Sequence, residues 1–158
     1  MFREMNRKHQ QLSSEESIAI LKQEPRGVLS LQGDDGYPYG IPMTHFYNDA
    51  DGCIYFHCGK KGHKNDALAR SSKASFCVMD QGFRREGEWA LNIKSVIVFG
   101  HIQPVTDLNE AFSVLRQLCL KYTPDPAFFS REMAESGKNV LLLRLVPEHI
   151  TGKLVNES

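Results

Sequence analysis

The residue types with the clearest chemistry lie between positions 59 and 64, where two glycines, three lysines and a histidine follow one another. The apolar and aromatic residues 54–58 before them predict a β-strand, and residues 65–70 after them predict the first turns of a helix. A basic, glycine-rich loop that leads into a helix can bind phosphate, because free backbone N–H groups and the positive end of the helix dipole face the anion. The candidate phosphate ligands are Gly62, His63 and Lys64. A solvated turn is an equally good interpretation of this loop alone, and the Walker spacing G-x-x-x-x-G-K-[ST] is absent.

Two cysteines and two histidines overlap this loop: Cys53, His57, Cys58 and His63. A shared zinc site is not expected from them. Neighbouring residues of a strand face opposite sides, which separates His57 from Cys58, and Cys53 lies ~13 Å from His57 along an extended chain. Structural zinc sites usually take ligands from a tight knuckle such as C-x-x-C. Whichever of His57 and Cys58 faces inward can contact a ligand, and a structural histidine bonded to a carbonyl is an equally good interpretation.

The extended segment 37–47 contains Pro38, Gly40 and Pro42 at alternate positions. Proline has no N–H to donate to a β-ladder and glycine has no side chain, so the strand cannot be fully paired along one side. It leaves carbonyl groups and room for a flat molecule to lie against the backbone. An ordinary edge strand that proline protects from aggregation explains the same residues, and it is the better interpretation of the segment alone.

Three further residues are candidate ligand contacts on less specific grounds. Trp89 follows a polar loop, and it either anchors the core or covers an aromatic ring. Lys94 and Ser95 enter an apolar strand and offer a cation and a hydroxyl, although either fits an ordinary surface. His45 and His101 belong to no motif. Because no serine–histidine–aspartate order and no paired carboxylates indicate hydrolysis, we expect a cofactor to supply any chemistry.

The elements that position these residues are predicted to be mostly strands. Ser13 and Glu16 predict a capping box, so a helix is expected from there to about Gln23, before Glu24-Pro25. Turn-forming residues predict that the strands 27–31, 37–47 and 53–58 form a three-stranded antiparallel meander. The other predicted elements are the strands 73–79, 89–105, 140–146 and 150–155 and the helices 108–121 and 127–136. One mainly antiparallel β domain, 1–158, is expected.

Composition excludes several classes of partner. Nineteen basic and nineteen acidic residues cancel, so no overall field attracts nucleic acid or an anionic membrane. No apolar run approaches the ~20 residues of a membrane span, and residues 1–11 lack the apolar segment of a secretory signal. The four cysteines form no C-x-x-C, and reduced thiols explain them most simply. We therefore expect a cytoplasmic protein without nucleic-acid or membrane partners.

Three segments occur in a characteristic order and spacing: Gly36-Tyr37-Pro38-Tyr39-x-x-Pro42, then residues 54–58 with Gly62-His63-Lys64, then Ser95-Val96-Ile97-Val98-Phe99-Gly100. Together they resemble the pyridoxamine 5'-phosphate oxidase-like flavoproteins, specifically the branch that includes nitroimidazole-resistance proteins. The similarity extends over nearly the whole chain. It implies a split β-barrel of about six antiparallel strands with peripheral helices. It also implies that flavin mononucleotide (FMN) binds at a homodimer interface, where both subunits line each site.

The resemblance assigns flavin contacts to individual residues. Those that would run beside the isoalloxazine ring are Ile41, Pro42, Met43 and Thr44. Those at the ribityl chain and ring edge are His57 and Cys58. Those that would hold the phosphate are Gly62, His63 and Lys64. Those that would approach from the partner subunit are Lys94 and Ser95, and the residue that could cover the flavin is Trp89.

The activity implied is that of an FMN-dependent oxidoreductase that passes hydride or electrons to a small aromatic or nitro compound, with His57 as the catalytic residue to test first. The arginine pair that grips pyridoxal phosphate in the vitamin-synthesising oxidases is absent. The tail offers only His149 and Lys153, so pyridoxamine phosphate oxidation is not expected. Gly59, where relatives often carry alanine, loosens the loop. A flavin-binding protein without turnover and a haem-binding split barrel stay open as alternatives. No dinucleotide fingerprint indicates the electron donor.

Overall fold

Seven strands and four α-helices make up the computed structural model, which describes residues 1–158. The strands are β1 (Arg26–Gln32), β2 (Pro38–Thr44), β3 (Phe46–Asn48), β4 (Cys53–Gly59), β5 (Lys73–Met79), β6 (Asn92–Pro104) and β7 (Val140–Asn156). The helices are α1 (Ser14–Gln23), α2 (His63–Arg70), α3 (Leu108–Tyr122) and α4 (Pro126–Ser136), and short 3-10 turns occupy Lys8–Gln10, Asp34–Gly36 and Gly137–Asn139. None of the helices combines the length and the apolar composition needed to cross a membrane. The expected mainly β, antiparallel fold is confirmed, with seven strands where about six were expected.

All seven strands belong to one antiparallel sheet, in the order β2-β1-β5-β6-β7-β4-β3. The β1–β2 and β3–β4 hairpins occur as expected. The three-stranded meander is wrong, because the segment 37–47 breaks at His45 into β2 and β3, which lie at opposite edges of the sheet. Two edges that are joined through one residue can lie close together only if the sheet curls. The sheet therefore forms a split barrel, with β2 and β4 facing each other across the split.

β7 is one continuous strand of 17 residues, and the two separate strands expected at 140–146 and 150–155 are wrong. It pairs with β4 through its first residues and with β6 along most of its length. The register with β6 shifts between Phe99 and Gly100, which leaves Glu148 as an extra residue on β7. Such a bulge bends a strand and increases its twist, which lets one strand serve both halves of the barrel.

The apolar core is divided by β4 into two clusters. Ile54 and Phe56 are fully buried inside the barrel, together with Leu21 of α1. Tyr55, on the opposite face of β4, is fully buried in a second cluster under α3 and α4, next to Phe129. Both faces of β4 are therefore covered, which explains why its sequence is continuously apolar instead of alternating.

The start of α1 confirms the predicted capping box. The Ser13 hydroxyl accepts a hydrogen bond from the backbone N–H of Glu16 at 3.1 Å, and the Glu16 carboxylate accepts one from the Ser13 N–H at 3.0 Å. Two N–H groups that the helix cannot satisfy internally are thereby paired. The cap fixes where α1 begins, and α1 then buries Ile20 and Leu21 in the barrel.

His45, which lies in no sequence motif, holds the point where β2 becomes β3. Its ring is fully buried, and Nε2 donates to the Leu21 carbonyl at 2.7 Å. Its backbone N–H donates to the Tyr122 hydroxyl at 2.9 Å. Lys121 Nζ donates to the carbonyls of His45, at 3.0 Å, and of Glu24, at 2.8 Å. The end of α3 therefore ties α1 to the junction between the two edges of the sheet.

Acidification from pH 6.5 towards pH 4 is expected to destabilise this junction. Burial, and after it the positive charge of Lys121, lowers the pKa of His45 from 6.5 to about 4. Within that window the unfolded chain binds a proton at His45 that the folded chain does not. The free energy of unfolding therefore falls as the pH falls, by up to about 3 kcal/mol, whereas above the window His45 is neutral in both states.

Urea denaturation at neutral pH and near the lower end of this window measures the loss. His45→Gln is expected to reduce the pH-dependent part, because glutamine does not titrate. His9→Gln, at an exposed histidine, is the matched control and should leave it unchanged. The same loss in wild type and His45→Gln would contradict the assignment.

Candidate functional site

The basic loop connects the end of β4 to α2. Gly62 precedes the helix with φ 120°, a backbone conformation that residues with side chains rarely adopt. No side chain caps the helix. The N–H groups of Asn65 and Asp66 donate to the Gly62 carbonyl, which leaves those of His63 and Lys64 free to bind a ligand. Because α2 begins at His63, two residues before the start indicated by the sequence, Gly62, His63 and Lys64 all lie at its N-terminus.

Lys64 lies at the split between β2 and β4. Its Nζ is 3.7 Å from the Met43 sulfur on β2, and its charge acts on Cys58 of β4. Lys64 forms no ion pair with any carboxylate of the chain. A thioether is a weak acceptor, so this half-buried ammonium group has no strong partner of its own.

His63 is held by two neighbours, Tyr39 and Asp34. Its ring stacks on Tyr39 of β2, with 4.0 Å between the ring centroids and 19° between the planes. Its Nε2 lies 3.2 Å from the Asp34 carboxylate, which also accepts a 2.6 Å hydrogen bond from Arg70. Ion pairs this exposed add little stability. They do fix the direction of the His63 ring beside the loop.

Asn65 holds the other end of the loop. Its side-chain N–H donates to the Gly59 carbonyl at 2.9 Å, which closes the loop between β4 and α2. Its side-chain oxygen lies 4.0 Å from the Cys58 sulfur. Burial raises the pKa of the Cys58 thiol, and nearby Lys64 only partly opposes the shift, so the thiol is protonated at neutral pH.

His57 and Cys58 face opposite sides of β4. Cys58 packs against the barrel interior, whereas His57 is turned towards α3 and α4 and lines a cavity with Thr44. The residue as a whole is exposed, yet partial desolvation of the ring, and less strongly the charge of Lys64, lower its pKa. The imidazole is therefore neutral at pH 7, with one N–H donor and one free lone pair. It can accept or pass on a proton, as a general acid–base group must.

β2 is an edge strand, as its prolines indicated. Exposure alternates along this strand. Pro38, Gly40 and Pro42 are exposed, whereas Ile41 and Met43 pack towards the core. The two inward residues can offer only backbone to a ligand on the outer side. Pro42, and Thr44 which is half-buried, offer side chains.

The structure does not bring Trp89, Lys94 and Ser95 to the basic loop within one chain. β6 is separated from β2 by two strands and from β4 by β7. Lys94 pairs with Glu16 of α1 at 3.4 Å, and Ser95 lies on the opposite face of β6. Trp89 lies in the loop between β5 and β6 and is 75% exposed. Their assignment to a flavin stays a prediction that needs a second subunit.

Comparison with known proteins assigns the chain to a family. The sequence profile of the family described as pyridoxamine 5'-phosphate oxidase matches residues 13–154, nearly the whole chain. The protein belongs to the pyridoxamine 5'-phosphate oxidase family. No curated protein matches the chain significantly.

Solved structures that resemble this family member agree with it in fold. One is a candidate 5-nitroimidazole antibiotic resistance protein from Bacteroides thetaiotaomicron, with 19% identity, a TM-score of 0.76, and coverage of 92% of this chain and 87% of that one. Another is an FAD-binding protein from Mesorhizobium loti, with 22% identity, a TM-score of 0.66, and coverage of 92% and 96%. A third is an FAD and haem binding protein from Mycobacterium smegmatis, with 21% identity, a TM-score of 0.71, and coverage of 94% and 74%. At these identities the likeness establishes the fold alone.

Sequence reasoning missed several residues around the loop of this family member. The sequence places Asn65 on the helix without a role, and Asp34 falls in the turn between the predicted strands 27–31 and 37–47. Tyr39 appeared only as part of the proline-containing motif. The pairing of Leu31 with Tyr39 fixes the position of the β1–β2 turn, whose Asp34 contacts His63 and Arg70 of α2. The approach of Asp34 to His63 therefore depends on strand register, for which the sequence contains no local signal.

Proposed function

We propose that the protein binds FMN at the split between β2 and β4 and acts as an FMN-dependent oxidoreductase on a small aromatic or nitro compound. The observation that carries the proposal is the half-buried Lys64, which has no acidic partner and lies at a glycine-preceded, uncapped helix N-terminus. A phosphate monoester supplies the anion that this arrangement lacks. Lys64 and the first N–H groups of α2 would bind it, and His63 would lie at its edge.

The remaining residues fit a flavin as far as their exposure allows. Above Gly59 and Gly62 there is open space, with no atom within 4 Å of an added side chain, so a phosphate can approach the backbone. Pro42 and Thr44 present side chains on the outer side of β2, where a flat ring can lie along an edge strand that is paired on one side only. When bound, FMN would supply hydride or single-electron transfer.

His57 is the residue we propose for proton transfer. It lines the same cavity as Thr44, and its lowered pKa keeps the imidazole neutral at pH 7. It can therefore take a proton from solvent at one ring nitrogen and give one up at the other. Reduction of a nitro group consumes protons as well as electrons, so a proton donor beside the reacting group is required.

A second copy of the chain is proposed to complete the site. An exposed row crosses four strands of the outer face, where Pro42 pairs with Val28, Val28 with Cys77 and Cys77 with Ile97. Phe99 and Met79, both exposed, extend the row. Contiguous exposed apolar surface of this kind marks an interface. Ser95 lies on this same face, so a partner subunit packed there could bring it and the exposed Trp89 towards the flavin. Lys94 lies on the other face of β6 and would have to leave Glu16 to join them.

Ile97→Glu is expected to convert the dimer into a monomer and to weaken FMN binding by at least tenfold. A carboxylate in the centre of an apolar interface would be desolvated without a partner, which costs several kcal/mol. Light scattering after gel filtration reports the mass, with a dimer at twice 17.9 kDa. Gln103→Glu, an exposed change near the other end of β6, is the control. A monomeric wild type, or a dimeric Ile97→Glu, would contradict the proposed interface.

Anaerobic reduction tests the activity itself. FMN-loaded protein is reduced with NADH, NADPH or dithionite, and reoxidation by a nitroaromatic acceptor is followed from the flavin absorbance. The proposal predicts reoxidation faster than that of free reduced FMN, and a slower rate in His57→Gln at unchanged FMN affinity. Reoxidation no faster than that of free flavin would mean that the protein only carries flavin. A Soret band in place of flavin absorbance would identify a haem protein.

A further inference from the structure

An apolar cavity of about 410 Å³ lies between the barrel and the layer formed by α3 and α4. Its floor is made by Thr44 at the end of β2 and His57 near the end of β4, and its far wall by helix residues such as Leu118, Phe129 and Met133. The volume falls within the range of small-molecule binding sites. Lys64 contacts Met43 and Cys58, the chain neighbours of these two floor residues, and its charge also acts on His57. The cavity therefore lies next to the proposed flavin site.

The charges that line the cavity cancel. Its ionised side chains are Arg26 and Glu132, both exposed, and His57 is neutral at pH 7. The other polar groups are hydroxyls, among them Thr44 and Ser136. An anion would have to give up its hydration for an apolar wall. The one cation of the lining, Arg26, is balanced by the negative charge of Glu132. An uncharged ligand pays no such penalty, and the aromatic wall favours a flat ring.

We propose that this cavity is the substrate pocket and that it takes uncharged, flat aromatic compounds in preference to anionic or phosphorylated ones. The proposal rests on the proposed function, because it is the flavin beside Pro42 and Thr44 that makes a ligand here a substrate. The pocket places the ring of the ligand against His57 and Thr44, at the end of the cavity nearest to β2. Carboxylated and phosphorylated aromatics are rejected, although the family takes its name from a phosphorylated substrate.

Methionine methyl groups provide separate reporters for the test. Of the five methionines, Met133 lines the cavity, Met43 contacts Lys64 at the proposed flavin site, and Met79 lies on the exposed outer face. Protein labelled with ¹³C at the methionine methyls is titrated with 4-nitrobenzamide and with 4-nitrobenzoate. The two probes have nearly the same shape and differ in charge. The neutral probe is expected to shift Met133 but not Met79, and the anion to bind at least tenfold more weakly.

Ser136→Trp tests the location. Ser136 follows Phe129 by seven residues and Met133 by three, so the three share one face of α4, and an indole there should fill the cavity. It is expected to weaken 4-nitrobenzamide binding at least tenfold and to leave FMN affinity unchanged. Ser130→Trp, an exposed change outside the cavity lining, is the matched control and should alter neither.

The outcomes separate the pocket from the flavin. If 4-nitrobenzamide shifts Met133 while FMN leaves Met43 unshifted, the cavity stands as a ligand site, but the proposed flavin site fails and with it the role of the cavity as a substrate pocket. If FMN shifts Met43 while the neutral probe leaves Met133 unshifted, the pocket is overturned and the flavin site stands. Equal affinity for the two probes overturns the preference for uncharged ligands. Unchanged binding of the neutral probe in Ser136→Trp overturns the location.

Discussion

Lys64→Ala is expected to weaken FMN binding more than tenfold, a loss of more than about 1.4 kcal/mol. Lys64 is half-buried at the split of the barrel, and its hydrogen-bonding neighbours are two sulfur groups, the Met43 thioether at 3.7 Å and the Cys58 thiol. A phosphate dianion would be its first strong acceptor. Charge-assisted hydrogen bonds are about twice as strong as neutral ones, and removing one partner leaves the other charge without compensation.

Quenching of flavin fluorescence during titration of the apo protein measures this loss. Lys61→Ala is the matched control, because Lys61 lies in the same loop, is exposed, and forms no ion pair or hydrogen bond within the chain. It should change the dissociation constant by less than threefold, since exposed charges are largely screened. Equal effects of the two substitutions would mean that the loop acts only through its overall charge. An unchanged affinity in Lys64→Ala would refute the phosphate assignment.

Gly100→Ala should destabilise the fold by about 3 kcal/mol or more, the upper end of what overpacking costs. At the bulge between β6 and β7, an added Cβ would lie 2.1 Å from the Val146 carbonyl oxygen and 2.9 Å from its carbon. Both are backbone atoms, which cannot move without breaking the ladder. The substitution must therefore separate the two strands with the longest shared pairing in the sheet.

Chemical denaturation at neutral pH provides the measurement. Gly59→Ala is the control for stability, because an added Cβ at the end of β4 meets no atom within 4 Å. It is expected to lie within about 0.5 kcal/mol of the wild type, as surface substitutions usually do. If Gly100→Ala were no less stable than Gly59→Ala, the close approach of β6 and β7 at the bulge would be wrong.

Local patterns predicted most of the individual elements. The Ser13–Glu16 capping box, the strand before the basic loop and the helix after it each depend on residues within a few positions of one another. What local patterns could not predict is which strands pair. The segment 37–47 has turn residues at both ends, which fits a meander as well as it fits a closed barrel. The closed barrel is stabilised by the buried ring of His45, which bonds to Leu21, 24 residues away in the sequence. The backbone N–H of His45 bonds to Tyr122 of α3, 77 residues away.

The residues of the candidate site likewise fall into those that local patterns predicted and those that they could not predict. Gly62, His63 and Lys64 were found because strand, loop and helix are contiguous in the chain. Asp34 is brought to His63 by strand register, and the cavity beside His57 forms only where α3 and α4 pack on β4. Residues that a second subunit would contribute are further still from any local pattern. The sequence marks Lys94, Ser95 and Trp89 only as unspecific candidates, and their place at a flavin comes from the resemblance alone.

A crystal structure of the protein grown with FMN would show whether the phosphate binds at the start of α2. We expect one FMN for each chain, with its phosphate about 2.7–2.9 Å from Lys64 Nζ, bonded to N–H groups of the first turn of α2, and its ring against Pro42 and Thr44. A phosphate bound away from α2, or crystals without flavin at saturating FMN, would contradict this expectation.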